Sequence, residues 1–167
     1  MVVRIRRPLK GAHFIHPIEP TPRTAILAPG FRETRLVRIF PQGWNEHARR
    51  FDPGSIAGPL EQLRRLALAA CCWPLEQAVV VFTYASAPGI PPQDREKLWK
   101  SFGVPVFEQY LSPRNKLLAT ECDAHSGLHV ISGCEGIPLE HDVCACGNPA
   151  PRLTRGSRLE ELAGLLA

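Results

Sequence analysis

The chain has 167 residues, 44% of them hydrophobic, and 20 Lys/Arg against 16 Asp/Glu give a net charge of +4. Apolar content of this order builds a core without disulfide staples, which excludes a disordered or disulfide-dependent scaffold. No apolar run approaches the ~18 residues of a membrane-spanning helix, and the basic opening (MVVRIRRP) has no apolar stretch behind it as a secretory leader has, so a cytoplasmic location is expected.

The 17 prolines predict short elements and many irregular connections. Residues 1–53 read as a basic, strand- and loop-rich segment. Arg4, Arg6, Arg7, Lys10, Arg23, Arg32, Arg35 and Arg38 face only Glu19 and Glu33 within residues 1–40. Such a segment suits nucleic acid or an acidic partner, although no nucleic-acid-binding motif accompanies the charge. Residues 24–28 (TAILA) and 35–40 (RLVRIF) are strand candidates, and His13 and His16 read as strand histidines rather than ligands.

Residues 55–72 are expected to be helical. Pro59 suits a first turn, and Leu60, Leu63, Leu66, Ala67 and Ala70 share one face. Cys71 and Cys72 read as small buried apolar residues. The run at 77–85 (QAVVVFTYA) has the β-branched continuity of a strand covered on both faces, as in a parallel sheet. The stretch 91–102 (PPQDREKLWKSF) places prolines and acids early and lysines late, the polarity a helix dipole favours, and Gly103 stops it. With a second strand at 104–110 (VPVFEQY), this is a βαβ unit.

Residues 116–122 and 128–132 read as two more strands joined by a hairpin loop at 123–127. Residues 154–167 hold a last helix, with Ser157 and Glu160 forming a capping box ahead of Leu159, Leu162, Leu165 and Leu166. The fold class is therefore α/β: a small mixed sheet with a βαβ unit and flanking helices, comprising a core region at 54–153 between the basic segment and the terminal helix.

Four of the six cysteines, Cys122, Cys134, Cys144 and Cys146, lie within 25 residues of one another. In a cytosolic chain that clustering favours metal over disulfide. Cys144-Ala-Cys146-Gly147 offers two thiolates one residue apart, and the glycine permits the tight turn they need around one ion. Tetrahedral zinc takes four ligands. Cys122 closes one hairpin strand and His129 opens the next, so the hairpin can supply the other two; His125, Cys134 and His141 are alternatives for the fourth. A Cys3His site is coordinatively closed and stabilises a fold rather than activating water.

Several of these stretches together resemble a known family. They are FGVPVFEQY at 102–110, LLATEC at 117–122, GLHV at 127–130, CACG at 144–147 and PRL at 151–153. In that order they resemble the phenylacetate–CoA ligase branch of the adenylate-forming enzymes, over residues 77–153. The resemblance implies a zinc-carrying fragment of the ligase core, and it places His129 in the Gly-Leu-His context of the family's histidine. It also implies what is missing. The family's Tyr-Gly-x-Thr-Glu stands here as Tyr110-Leu-Ser-Pro-Arg114, with a cation where an acid would help hold magnesium. No Gly/Ser/Thr-rich phosphate loop occurs in these residues, nor a counterpart of the family's lysine-bearing domain. The expectation is a non-catalytic relative with a structural zinc, joined to a protein partner or to its own copies. The alternatives are a zinc-containing nucleic-acid binder and a small enzyme with an open metal site.

Overall fold

The computed structural model describes residues 11–69, 75–84, 89–134 and 138–153. The double cysteine 71–72 and the helix expected at 154–167 lie outside them. Among the described residues, eight strands and three helices follow in chain order: β1 (Thr24–Ile26), β2 (Val37–Ile39), α1 (Glu46–Phe51), β3 (Ser55–Pro59), α2 (Leu60–Leu68), β4 (Ala78–Tyr84), α3 (Pro92–Phe102), β5 (Val106–Leu111), β6 (Leu117–Glu121), β7 (Leu128–Val130) and β8 (Arg152–Leu153).

All eight strands join one mixed sheet in the order β2-β1-β3-β4-β5-β6-β7-β8. The five strands from β2 to β5 are parallel. From β5 onward each pairing is antiparallel. The α/β class and the mixed sheet agree with the sequence reading, and β4–α3–β5 is the expected unit, its strands parallel neighbours.

Strand alternation sends successive residues to opposite faces. Ala25, Leu27, Ile56, Val79 and Val81 face α2 and α3, where Leu63, Leu66, Leu98 and Phe102 complete the core. Ile26, Ala28, Ala57, Val80 and Phe82 face the other way, against Phe14 and Phe31. The segment ahead of β1 and the β1–β2 connection thus cover the second face, and the uninterrupted apolar run of β4 reflects burial on both sides. Arg64 of α2 reaches Asp94 in the first turn of α3 through two guanidinium hydrogen bonds, tying the helices together.

Three features differ from the sequence reading. Residues 55–59 are strand, not helix, and α2 begins only at Leu60. Gly58 explains the strand: a Cβ there would stand 3.1 Å from the Leu27 side chain, so its absence lets the chain run close beside the segment following β1. Pro59 then stands at the helix N-cap position, with φ −60°. The six-residue α1 was not anticipated; the Asn45 side chain accepts the Ala48 N–H to cap it. Residues 13–16 form no strand. His16 is instead a buried link whose Nε2–H donates to Ser55 Oγ (2.9 Å), while that hydroxyl donates to the Ala78 carbonyl (2.8 Å).

Candidate metal centre

The hairpin of β6 and β7 sets the first half of the site. Their register pairs Thr120 with His129 and Glu121 with Leu128. Cys122 therefore leaves the end of β6 beside the start of β7, and the backbone turns at once: the His125 N–H donates to the Cys122 carbonyl (3.0 Å). The second half hangs from a clasp. Glu140 and Arg152 exchange two backbone hydrogen bonds, both 2.9 Å, and β8 pairs with β7. The chain between them loops back toward the hairpin carrying Cys144 and Cys146. Gly147 turns it with φ +80°, and its N–H donates to the Cys144 carbonyl (2.8 Å). The requirement for glycine is conformational, since a Cβ there would meet no atom within 4 Å.

These two halves place one donor atom from each of Cys122, His129, Cys144 and Cys146 within 4.8 Å of the others. The sulfurs of Cys122 and Cys144 are 3.6 Å apart, and Cys146 Sγ is 3.3 Å from His129 Nε2. Metal–ligand bonds of 2.0–2.3 Å put the corners of a tetrahedron about 3.3–3.8 Å apart, so the quartet can hold one metal ion with little closure. The histidine is prepared for that role. Its Nδ1 lies 3.1 Å from the Ala150 carbonyl, which can only accept, so the proton sits on Nδ1 and Nε2 carries the lone pair toward the cysteines. His129 is 1% exposed and Cys144 2%.

The surroundings divide the thiols. Backbone and hydroxyl donors from Cys146 and Ser126 hold Cys144 down to about 5. Burial pushes Cys122 up to about 11, and the neighbouring sulfurs oppose a second negative charge there. Deprotonating both at once without a cation is unfavourable; a divalent ion between them reverses that balance. The Asn148 N–H also points at Cys146 Sγ (3.4 Å). A set of three soft sulfurs and one imidazole nitrogen fits a borderline-soft divalent metal rather than calcium or magnesium.

The alternatives for the fourth position lie elsewhere. His125 turns toward β5, its ring against Phe107 with centroids 5.1 Å apart and its Nδ1 3.2 Å from Glu121 Oε1. Cys134 is buried in the cluster containing Tyr110 and Leu118, its Sγ 3.6 Å from the Ser132 carbonyl. His141 is exposed and outside the quartet.

Sequence reasoning missed the polar groups around the quartet. Glu121, immediately before Cys122, is 2% exposed. Its carboxylate accepts the Glu108 backbone N–H (2.9 Å) and pairs with Arg95 Nη1 (3.0 Å), locking the root of the hairpin onto α3. Glu108 accepts from Thr83 Oγ1 (2.8 Å), and burial holds its pKa above the ordinary carboxylate range. Arg152 and Ser126 stand behind Cys144. An acid directly beside a hairpin cysteine was visible in the sequence, but nothing local signals the helix arginine that neutralises it.

The Tyr-Leu-Ser-Pro-Arg stretch leads from β5 directly into a tight turn to β6. Ser112 Oγ accepts the backbone N–H groups of Arg114 (3.3 Å) and Lys116 (3.1 Å), and Arg114 is exposed. The Asn115 side chain donates to the Pro29 carbonyl (3.0 Å) and accepts from Tyr84 Oη (2.9 Å). It thereby bridges the carboxyl ends of β1 and β4, where an open parallel sheet ordinarily admits a ligand.

No protein-family model matches the chain, and no curated protein matches it. The fold is similar to a solved structure of 2-hydroxyisobutyryl-CoA ligase in an open conformation with 2-HIB-AMP and CoA. The TM-score is 0.56 at 14% sequence identity, covering 83% of this chain and 45% of that one. That neighbour is an acyl-CoA ligase of the adenylate-forming family. The likeness is one of fold, and the chain spans less than half of the ligase's length.

Proposed function

We propose that this chain is a zinc-containing, non-catalytic relative of the adenylate-forming ligase core, acting as a binding or assembly subunit beside enzymes that handle acyl- or aryl-CoA groups. The observation that carries the reading is the quartet of Cys122, His129, Cys144 and Cys146, four donors within 4.8 Å of one another at the junction of a hairpin and a returning loop. Zinc is the assignment that three thiolates and one imidazole in a tetrahedral arrangement favour, and four protein ligands leave no position for a reacting water. When bound, the ion supplies fold stability by holding loop 141–151 to the β6–β7 hairpin.

The loss of ligase chemistry is supported from the β5–β6 turn. The position where the family carries an acid is Arg114, on the surface of that turn, and a cation there disfavours magnesium. Asn115 meanwhile ties β1 to β4 across the sheet's carboxyl edge. The likeness in fold to an acyl-CoA ligase supports the family reading without extending its activity to this chain. Two measurements test the proposal. Purified protein should carry zinc, and it should fail to exchange pyrophosphate into ATP with a panel of carboxylic acids. Robust exchange by the isolated chain removes the non-catalytic reading.

A further inference from the structure

The quartet does not balance its own charge. Three thiolates and a neutral imidazole around a divalent ion leave one net negative charge beside Cys144, which is 2% exposed. A buried uncompensated charge is costly, so a cation close at hand has a physical consequence. Arg152, 7% exposed, is that cation. Its Nη1 donates to both the carbonyl and the hydroxyl oxygen of Ser126, each at 2.7 Å. Ser126 Oγ lies 3.3 Å from Cys144 Sγ. A metal-bound thiolate carries no proton, so the hydroxyl can only donate to the sulfur while it accepts from the guanidinium. The two bonds thus form a directed relay from a fixed positive charge to one thiolate. Nη2 lies 3.4 Å from Glu140 Oε2, but Glu140 is half exposed and its charge is screened by solvent.

The fold builds this relay deliberately close. Arg152 pairs in register with His129 across β7 and β8, and Ala150, two residues earlier, accepts from His129 Nδ1. The same short segment, residues 150–152, therefore orients the histidine and polarises the cysteine. Gly127 makes its approach possible: φ is +125°, and a Cβ would stand 2.8 Å from the Leu153 carbonyl oxygen.

We infer that Arg152, acting through Ser126, is a positioning and charge-compensating residue for the Cys144 thiolate and sets how tightly the quartet holds its metal. The inference rests on the quartet being a zinc site, and the test separates the two. Zinc affinity of the whole chain is measured by competition with a chromophoric chelator for wild type, Ser126→Ala, Arg152→Met and the double variant, with folding followed by circular dichroism. Outer-shell partners of this kind are worth roughly 10–100-fold in metal affinity. The expected result is a loss of that size for Ser126→Ala, a loss no larger for folded Arg152→Met, and a double variant no weaker than Ser126→Ala alone, because both changes cut one relay. Ser126 lies on an exposed loop, so its substitution decides the matter even where the Arg152 variant unfolds. Wild-type zinc binding with Ser126→Ala unchanged within about twofold, far below the outer-shell range, overturns the relay and leaves the zinc site standing. Absence of zinc binding by the wild type overturns both.

Discussion

Acidification should destabilise this protein through His16 in a window set by its burial. The imidazole is 4% exposed, its Nδ1 accepts the Ile18 N–H at 3.0 Å, and its Nε2–H donates to Ser55. Protonating Nδ1 exchanges that donor for the Ile18 carbonyl, 3.1 Å away, which offsets only part of the desolvation. Burial lowers the pKa from 6.5 to about 4. The unfolded chain therefore binds a proton that the folded chain refuses, and stability falls as the pH drops from 6.5, with the loss complete near 4. At about 1.4 kcal/mol per unit, the total is on the order of 3 kcal/mol. Urea denaturation at a series of pH values, comparing wild type with His16→Gln, isolates this residue because other titrating groups are common to both. The variant should be less stable at pH 7, having lost well-placed hydrogen bonds, yet it should lose about 3 kcal/mol less than wild type on going to the acid end. Parallel curves for the two proteins would refute the reasoning.

Other perturbations have equally definite expected results. Glu108→Gln should stabilise the protein at neutral pH, because burial raises the Glu108 pKa above 4.5 and the folded state resists its ionisation. That advantage should shrink as the pH falls and vanish below 4.5, where wild-type Glu108 becomes protonated in both states; a pH-independent difference in melting temperature argues against it. Gly127→Ala places a Cβ against the Leu153 carbonyl oxygen at φ +125° and should cost about 1–3 kcal/mol in denaturant unfolding, whereas an unchanged midpoint contradicts the close strand approach. Cys144→Ser should lower metal content sharply while Cys134→Ser leaves it unchanged, because only the first sulfur lies in the quartet. Equal metal loss in both variants would dissolve that distinction.

Much of this fold is legible where residue type and length agree. The β4 run, the proline-led α3 closed by Gly103 and the β6–β7 hairpin each carry strong local signals, and each stands where the sequence places it. β3 is hidden because Ser55-Ile-Ala-Gly-Pro59 is a poor strand by propensity, held by parallel neighbours on both sides and by the close passage of Leu27. β8 contributes two residues and exists only because β7 offers it an edge. The quartet is visible in the spacing of its cysteines and the hairpin between two of its members. Its outer partners are not: Arg152 meets Ser126 across 26 residues, and Arg95 meets Glu121 from another element, through pairings that no local pattern encodes.

The zinc content of the purified chain tests the central claim most directly. The protein, expressed and isolated without added metal or chelator, is assayed for zinc by elemental analysis and for free thiols by a colorimetric reagent, before and after metal extraction. One tightly held zinc per chain is the predicted result, with Cys122, Cys144 and Cys146 becoming reactive only on its removal. A zinc ratio near zero in folded protein, with these cysteines reduced and freely reactive, contradicts the account.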